Sequence, residues 1–394
     1  MSDVSWQIKS LSELGRFSRG KSKHRPRNDK KLFTNGTYPL IQTGDIKNAN
    51  LYVTKNSDYY NEFGLSQSKL WEQGTLCITI AANIAETAIL SYPMCFPDSV
   101  VGFNAHKNES SELFVYYVFE LIKKEIQKTS SGSIQDNINI DYLTKLKLKV
   151  PNKDYQDRIV NLLSTIDKKI LINNQINEEL EAMAKTLYDY WFVQFDFPDE
   201  NGKPYKSSGG KMVYNDQIKR EIPEGWGVEN LSNFLTIKNG KDHKDLSDGN
   251  YPVYGSGGLM RKVEDYIFEG ESVLIPRKGT LNNIMYVDEK FWTVDTMFYT
   301  HMKIDYAALY TYFSIKDIDF TKLNTGTGVP SMTASILYQL QILNPNADIL
   351  KNFDELVRTT YRMIFDNRKQ NQDLTQLRDW LLPMLMNGQV KVEE

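Results

Sequence analysis

Between Arg16 and Lys31 eight cationic side chains (Arg16, Arg19, Lys21, Lys23, Arg25, Arg27, Lys30 and Lys31) stand against the single acid Asp29, with His24 among them. Charge at that density suits neutralisation of a phosphate backbone; the alternative is an ordinary solvated loop. A second run, Lys238, Lys241, His243 and Lys244, alternates with Asp242, Asp245 and Asp248 and is correspondingly weaker. Better candidates nearby are Arg261-Lys262, Arg277-Lys278 and Asn282-Asn283. Arginine and asparagine make the two-pronged contacts that distinguish guanine and adenine edges. Gln42 and Thr43 follow Pro39, and Tyr254 and Ser256 follow Pro252, where they are placed to approach bases; Asn83 and Gln135 are further candidates.

Catalytic chemistry finds less support. Gly15-Arg-Phe-Ser-Arg-Gly-Lys-Ser22 spells Gly-x-x-x-x-Gly-Lys-Ser literally. Yet it places Phe17 and two arginines in a loop meant to wrap phosphates, with no buried strand before it and no apolar run ending in Asp after it. Its later counterpart, Leu235-Thr-Ile-Lys-Asn-Gly-Lys-Asp, loses the first glycine and the final hydroxyl, so a phosphate loop is rejected. Gly255-Ser-Gly-Gly and Gly326-Thr-Gly do not join a strand to a helix as a dinucleotide loop would. No Asn/Asp-Pro-Pro-aromatic motif is present to hold an extruded base for methylation. The histidines His24, His106, His243 and His301 form no i, i+4 pair, and Cys77 and Cys95 lack Cys-x-x-Cys spacing, so no metal site is expected. The chain is expected not to be an enzyme.

These residues need scaffolds. A chain of 394 residues is long enough for two or more cores. Its 41% hydrophobic and 25% charged content is ordinary, and a net charge of −3 confines any nucleic-acid contact to local patches. Two cysteines argue for a reducing compartment, and without a signal peptide or an apolar run of spanning length the expected location is cytoplasmic, away from membranes.

The scaffolds occur twice. Trp6, Leu11, Ser12 and Arg19-Gly20-Lys21 answer Trp226, Leu231, Ser232 and Asn239-Gly240-Lys241 at an offset of 220. Gly36-Thr-Tyr-Pro answers Gly249-Asn-Tyr-Pro at 213, Gly74 answers Gly270 at 196, and Ser131-Gly132-Ser133 answers Thr325-Gly326-Thr327 at 194. In the first copy short β-branched runs such as Leu76–Thr79 and Thr87–Leu90 sit among turn formers. A helix is expected over 111–128, a short helix or turn at Tyr142-Leu143 and a strand over 146–150, with Pro151 opening a long helix.

That helix carries heptads. Leu163, Ile170, Asn177, Ala184 and Trp191 interleave with Ile159, Ile166, Asn173, Leu180 and Leu187 at spacings of three and four, the seam of a coiled coil. Adding 194 gives Val357, Ile364, Asn371, Arg378, Leu385 and Phe353, Thr360, Asn367, Leu374, Leu381. Both seams keep their two asparagines, residues that cost stability and fix register. Antiparallel pairing with Asn173 on Asn371 sets Asn177 on Asn367, Ile170 on Leu374, Leu163 on Leu381, Leu180 on Ile364, Leu187 on Val357 and Trp191 on Phe353; each pair of numbers adds to 544. Only Ile166 opposite Arg378 is a poor layer. Roughly 35 helical residues span about 50 Å.

With these parts in order, the chain resembles the specificity subunit of a type I restriction–modification system. The resemblance rests on Trp6…Leu11 and Ile222-Pro-Glu-Gly-Trp226 opening the halves and on Thr325-Gly-Thr-Gly-Val-Pro-Ser-Met332 closing the second variable domain. It rests also on Tyr190-Trp-Phe-Val-Gln-Phe-Asp-Phe197…Gly202-Lys-Pro-Tyr205 and Leu377-Arg-Asp-Trp-Leu-Leu-Pro-Met-Leu-Met-Asn-Gly388. In the first half Ser130-Ser-Gly-Ser-Ile-Gln135 departs from the Thr-Gly pattern. The resemblance implies an α+β fold: two β-rich target recognition domains joined by two long helices in an antiparallel intramolecular coiled coil, with pseudo-two-fold symmetry. The corresponding segments are 1–151, helix 152–194, connector 195–222, 223–345 and helix 346–394. It further implies double-stranded DNA with a bipartite target, two methyltransferase subunits and, in the full complex, two restriction subunits. S-adenosylmethionine, ATP and magnesium would belong to those partners. The alternatives are a coiled-coil adaptor that reads no DNA, or the same reader beside a fused methyltransferase–nuclease.

Overall fold

The computed structural model describes residues 4–131, 140–326 and 328–392. Gly132, Ser133 and the candidate Gln135 of the first loop, and Thr327 of the second, lie outside the described residues. The chain divides into two compact units, one running to Asn173 and resuming at Lys369, the other Asn174–Arg368. Each therefore combines a β-rich domain with part of both long helices.

In the first unit, Trp6–Ser10 pairs antiparallel with Lys147–Pro151, Trp6 opposite Pro151, which stitches the two ends of the domain together. Pro151 does not open the long helix as expected. It closes this strand, where its missing N–H interrupts no ladder, and the helix begins at Lys153. Between these ends lies a five-stranded sheet in the order Gly15–Arg19, Val100–Ala105, Leu76–Thr79, Thr87–Leu90, Tyr52–Val53. Leu76–Thr79 is buried along its whole length, as a central strand requires. The helix Glu112–Ser131, whose first turn is capped by Ser111 Oγ accepting from Phe114 N (3.2 Å), lays Phe114 and Phe119 on Leu76, Ile78 and Phe103. The same core takes in Ile159 and Leu163 of the first long helix and Leu382 and Leu385 of the second.

The second unit repeats the plan. Gly227–Asn230 pairs with Gln341–Asn344 and closes the domain. Six strands follow in the order Leu235–Asn239, Met297–Met302, Phe268–Pro276, Met285–Thr293, Asp248–Gly255, Gly258–Val263. The helix Ala308–Lys316 covers the sheet, and Tyr310, Phe234, Phe192, Trp226 and Phe353 share its core. The connector 195–222 is held by contacts of its own. Asp196 accepts from Ser207 N (2.7 Å) and Ser207 Oγ (2.6 Å), the Phe197 ring stacks on Trp226 (5.0 Å) and Tyr205 (4.7 Å), and Met212–Asn215 forms a hairpin with Arg220–Pro223.

The long helices, Lys153–Tyr188 and Ala347–Met386, pair antiparallel in the expected register. Within the first unit Asn173 Nδ2 donates to Asn371 Oδ1 (2.8 Å) and to Gln370 Oε1 (2.7 Å). Within the second, Asn367 Nδ2 donates to Asn177 Oδ1 (2.9 Å), and the rings of Trp191 and Phe353 lie 5.9 Å apart. The poor layer has a remedy just off the seam. Arg378 Nη1 reaches Asp167 Oδ1 at 2.9 Å, and the Tyr117 hydroxyl, from the domain helix, donates to Asp167 Oδ2 at 2.6 Å. In the second unit Arg358 binds Glu271 (2.9 Å), on a domain strand, and Asp354 (2.8 Å). One arginine of the second long helix thus fastens the coil to the domain in each unit.

Candidate nucleic-acid interface

The basic run of the first unit starts on an extended strand. Gly15–Arg19 pairs with Val101–Ala105, so the literal phosphate-loop match is β-structure where such a loop would curl. Gly20 follows, its N–H bonding Val100 O at 2.8 Å. A Cβ on it would stand 2.4 Å from the carbonyl oxygens of Phe96 and Pro97, which is why glycine is needed. Gly240 repeats the arrangement: its N–H bonds Met297 O (3.0 Å), and a Cβ would meet Val294 O at 2.1 Å. The Gly-Lys dipeptides that the repeat shares are close-approach points beside a turn.

That turn organises one edge of each domain. In the first unit Lys23 N bonds Gln67 O (3.1 Å) and Ser68 Oγ bonds Lys21 O (2.9 Å), tying the basic segment to the 61–68 turn. Arg27 pairs with Asp98 (2.7 Å), Arg25 lies 3.9 Å from the same carboxylate, and His24 Nε2 meets Asp29 at 2.8 Å. The backbone N–H of Lys31, and then His24, hold the Asp29 carboxyl below the usual range. Arg25 also binds the carbonyls of Ser22 and His24. Among the described residues Arg16, Arg19, Lys21, Lys23, Lys30 and Lys31 remain exposed without a carboxylate partner. Gln42 and Thr43 follow Ile41, whose N–H bonds Cys95 O (3.0 Å), next to the 96–99 turn; Gln42 N is itself bonded to Asp45 (2.6 Å). Asn83 lies in the 80–86 loop, held to the edge by Ile80 N on Ser99 O (2.9 Å).

In the second unit the matching bond is Arg277 N on Thr296 O (2.8 Å), which places Arg277, Lys278, Asn282 and Asn283 on the corresponding loop. Several of the expected base readers also bond within the fold here. Arg261 Nη2 donates to the carbonyls of His243 (2.7 Å) and Leu246 (2.5 Å), so its fork clamps a loop, with Asp248 3.4 Å away. Asn282 Oδ1 accepts from Phe320 N (2.8 Å), and Asn283 Nδ2 donates to Ser256 O (2.9 Å). The Tyr254 hydroxyl donates to Glu289 (2.6 Å), and burial together with that carboxylate raises its pKa. Arg277 Nη1 donates to Asp295 O (3.4 Å). Lys238, Lys241 and Lys278 are exposed with no carboxylate partner among the described residues.

The residue that the sequence reasoning missed is Asn324. Its Oδ1 accepts from Gly326 N and Ser331 N, both at 2.8 Å, and shapes the loop that holds Thr325 and Val329. The signal was present, since asparagine one residue before Thr-Gly commonly bonds backbone ahead of it. Gly279 N bonds Pro330 O (3.0 Å) and Met332 N bonds Arg277 O (2.9 Å), seating that loop against the 277–283 loop. Among the described residues no group of three or more His, Cys, Asp or Glu is arranged to hold a metal. No helix there is long and apolar enough to cross a membrane.

A family model described as the type I restriction modification DNA specificity domain matches residues 3–182 and 223–363. The chain is similar to the type I restriction enzyme MjaIX specificity subunit of Methanocaldococcus jannaschii, at 24% identity over 99% of this chain and 94% of that one. It is also similar to the type I restriction enzyme HindI specificity subunit of Haemophilus influenzae, at 24% identity over 72% and 75%. Among solved structures, that of the type I restriction–modification system S subunit from M. genitalium shares the fold, with a TM-score of 0.61 and 17% identity over 98% and 97% of the two chains.

Proposed function

The chain belongs to the type I restriction modification DNA specificity family, and from that premise we propose that it is the non-catalytic reader of a bipartite duplex target. Each unit's loop edge reads one half-site. The observation that carries this is the duplicated edge, built on the same glycine contact at Gly20 and Gly240 and, in the first unit, lined by six exposed cations without a carboxylate partner among the described residues.

The coil, in this reading, sets the spacer between half-sites and docks two methyltransferase subunits, with two restriction subunits joining the full complex. Docking is supported by apolar side chains exposed outside the seam. The coil part of the first unit exposes Leu162, Ile172, Leu377 and Trp380, and that of the second exposes Ile176, Met183, Leu356 and Met363. Leu162 and Met183 recur 194 residues later as Leu356 and Leu377, so each unit carries a comparable patch. S-adenosylmethionine, ATP and magnesium are held by the partners, and catalysis occurs there.

The test is duplex binding by the full chain, alone and with its methyltransferase subunit, across a salt series. For a DNA reader the logarithm of the affinity falls linearly with log salt. Absent or salt-insensitive binding in both cases would instead support a protein adaptor. Exchanging residues 1–151 should change one half of the methylated motif and leave the other; a change in both halves removes the assignment of one domain to one half-site.

A further inference from the structure

The two loop edges differ in chemistry. Among the described residues the first carries six exposed cations without carboxylate partners, the second three. The second edge also exposes a group of aliphatic side chains: Leu259 is 50% exposed, Met260 57% and Val329 61%, against Phe63 at 44% and Leu70 at 39% in the first unit.

These side chains sit on turns joined by hydrogen bonds. Leu259 and Met260 begin the edge strand Gly258–Val263, just past the turn at Ser256 and Gly257. Asn283 Nδ2 holds the Ser256 carbonyl at 2.9 Å, and a Cβ on Gly279 would stand 2.7 Å from Ser256 Oγ. Gly279 N also bonds Pro330 O at 3.0 Å, beside Val329. Both the hairpin turn and the Val329 loop therefore touch Gly279, which follows the exposed Lys278. Aliphatic side chains fixed in solvent beside a cation, on an edge that otherwise carries polar loops, have their apolar faces left for a partner.

We propose that Leu259, Met260 and Val329 form an aliphatic reading edge that contacts thymine C5-methyl groups in the major groove of one half-site. The inference rests on the DNA-reading role proposed above. The thymine methyl is the one apolar group that a base pair displays in that groove, and aliphatic side chains recognise it by contact alone. Its contribution is insensitive to salt. The first unit supplies most of the phosphate contacts, and with them most of the salt dependence. The two domains thus grip one duplex by different physics.

The experiment uses the full chain with its methyltransferase subunit and the target defined by motif-resolved methylome sequencing. The half-site belonging to the second unit is the one altered by exchanging residues 223–345. Replacing its thymines with deoxyuridine removes only the methyl groups, and binding should weaken about tenfold, with no such loss in the other half. The double variant Leu259→Ala, Val329→Ala should weaken binding to a similar degree, leave the slope of log affinity against log salt unchanged, and become indifferent to deoxyuridine. Lys21→Ala with Lys23→Ala should instead reduce that slope by about 1–2. Because the replaced residues are exposed, an unchanged melting temperature checks the fold. Indifference of the wild-type complex to deoxyuridine, a second half-site without thymine, or unaltered binding by the double variant each overturns the inference. So does loss of methyltransferase association in that variant, which would make the patch a protein contact. If the wild-type complex shows no salt-dependent duplex binding at all, it is the reading role itself that fails.

Discussion

An alanine methyl at Gly20 would lie 2.4 Å from two carbonyl oxygens, and at Gly240 2.1 Å from one, distances that no rotamer change relieves because both neighbours are backbone. Each substitution is expected to destabilise its domain by about 2–3 kcal/mol, read as a lower urea midpoint with an unchanged m-value. Arg378 offers a second test. Its removal leaves Asp167, whose side chain is 6% exposed, with only the Tyr117 hydroxyl. Breaking a buried pair costs about 3–5 kcal/mol; because the Arg378 side chain is a quarter exposed, the lower end, about 3 kcal/mol, is expected for Arg378→Ala. A double variant that also replaces Asp167 with Leu should recover much of that loss. At this scale the sequence was legible as charge and opaque as pairing. The density of cations around Arg25 and Arg27 could be read directly, whereas their partner Asp98 lies 71 residues beyond Arg27 and comes near only through the fold. Arg261, Asn282 and Asn283 carry the donors and acceptors that suit base edges, and the same geometry also bonds backbone here.

Among the elements, the helices were the most readable, because a heptad repeat writes both the period and, through its asparagines, the pairing. Three separate contacts fall on the register deduced from numbers alone. The seam alone does not show what satisfies Arg378 opposite Ile166, because Asp167 is off the seam and Tyr117 is on another element. Residues 195–222 were less readable. Turn formers mark where a chain bends, and give no sign that Phe197, Tyr205 and Trp226 will stack between the bends. The side chain and then the backbone N–H of Ser207 hold the Asp196 carboxyl below its usual 3.8. A carboxyl that titrates lower when folded stabilises fully above the unfolded value and loses that contribution as pH falls through the folded one. The near-UV signal of the Trp226 stack should therefore persist at pH 5 and fade only below about pH 4, and Ser207→Ala should move the loss to higher pH.

For the whole molecule, the proposed spacer function makes coil length a determinant of the target. A heptad inserted at matching positions in both helices keeps the seam in phase and adds roughly 10 Å. Methylome mapping should then show the two half-site sequences unchanged and their spacing increased by about 3 base pairs, given roughly 3.4 Å per pair. An unchanged spacing would separate the coil from the ruler role. The duplication explains why so much of the plan was visible: each element is written twice, so accidents of one copy are exposed by the other. What differs between copies is the loop chemistry, and that is the part a repeat cannot reveal.

The first unit closes only with the chain from Lys369 on, whose Leu382 and Leu385 complete the core around Ile159 and Leu163. On a ribosome, where residues emerge in order at about 5–20 per second, this imposes a schedule. The segment 174–368 has all its parts in hand first, whereas the face of the first helix at Ile159 and Leu163 waits for Leu382 and Leu385 of the second. The unit whose synthesis starts first is thus the last to be completed.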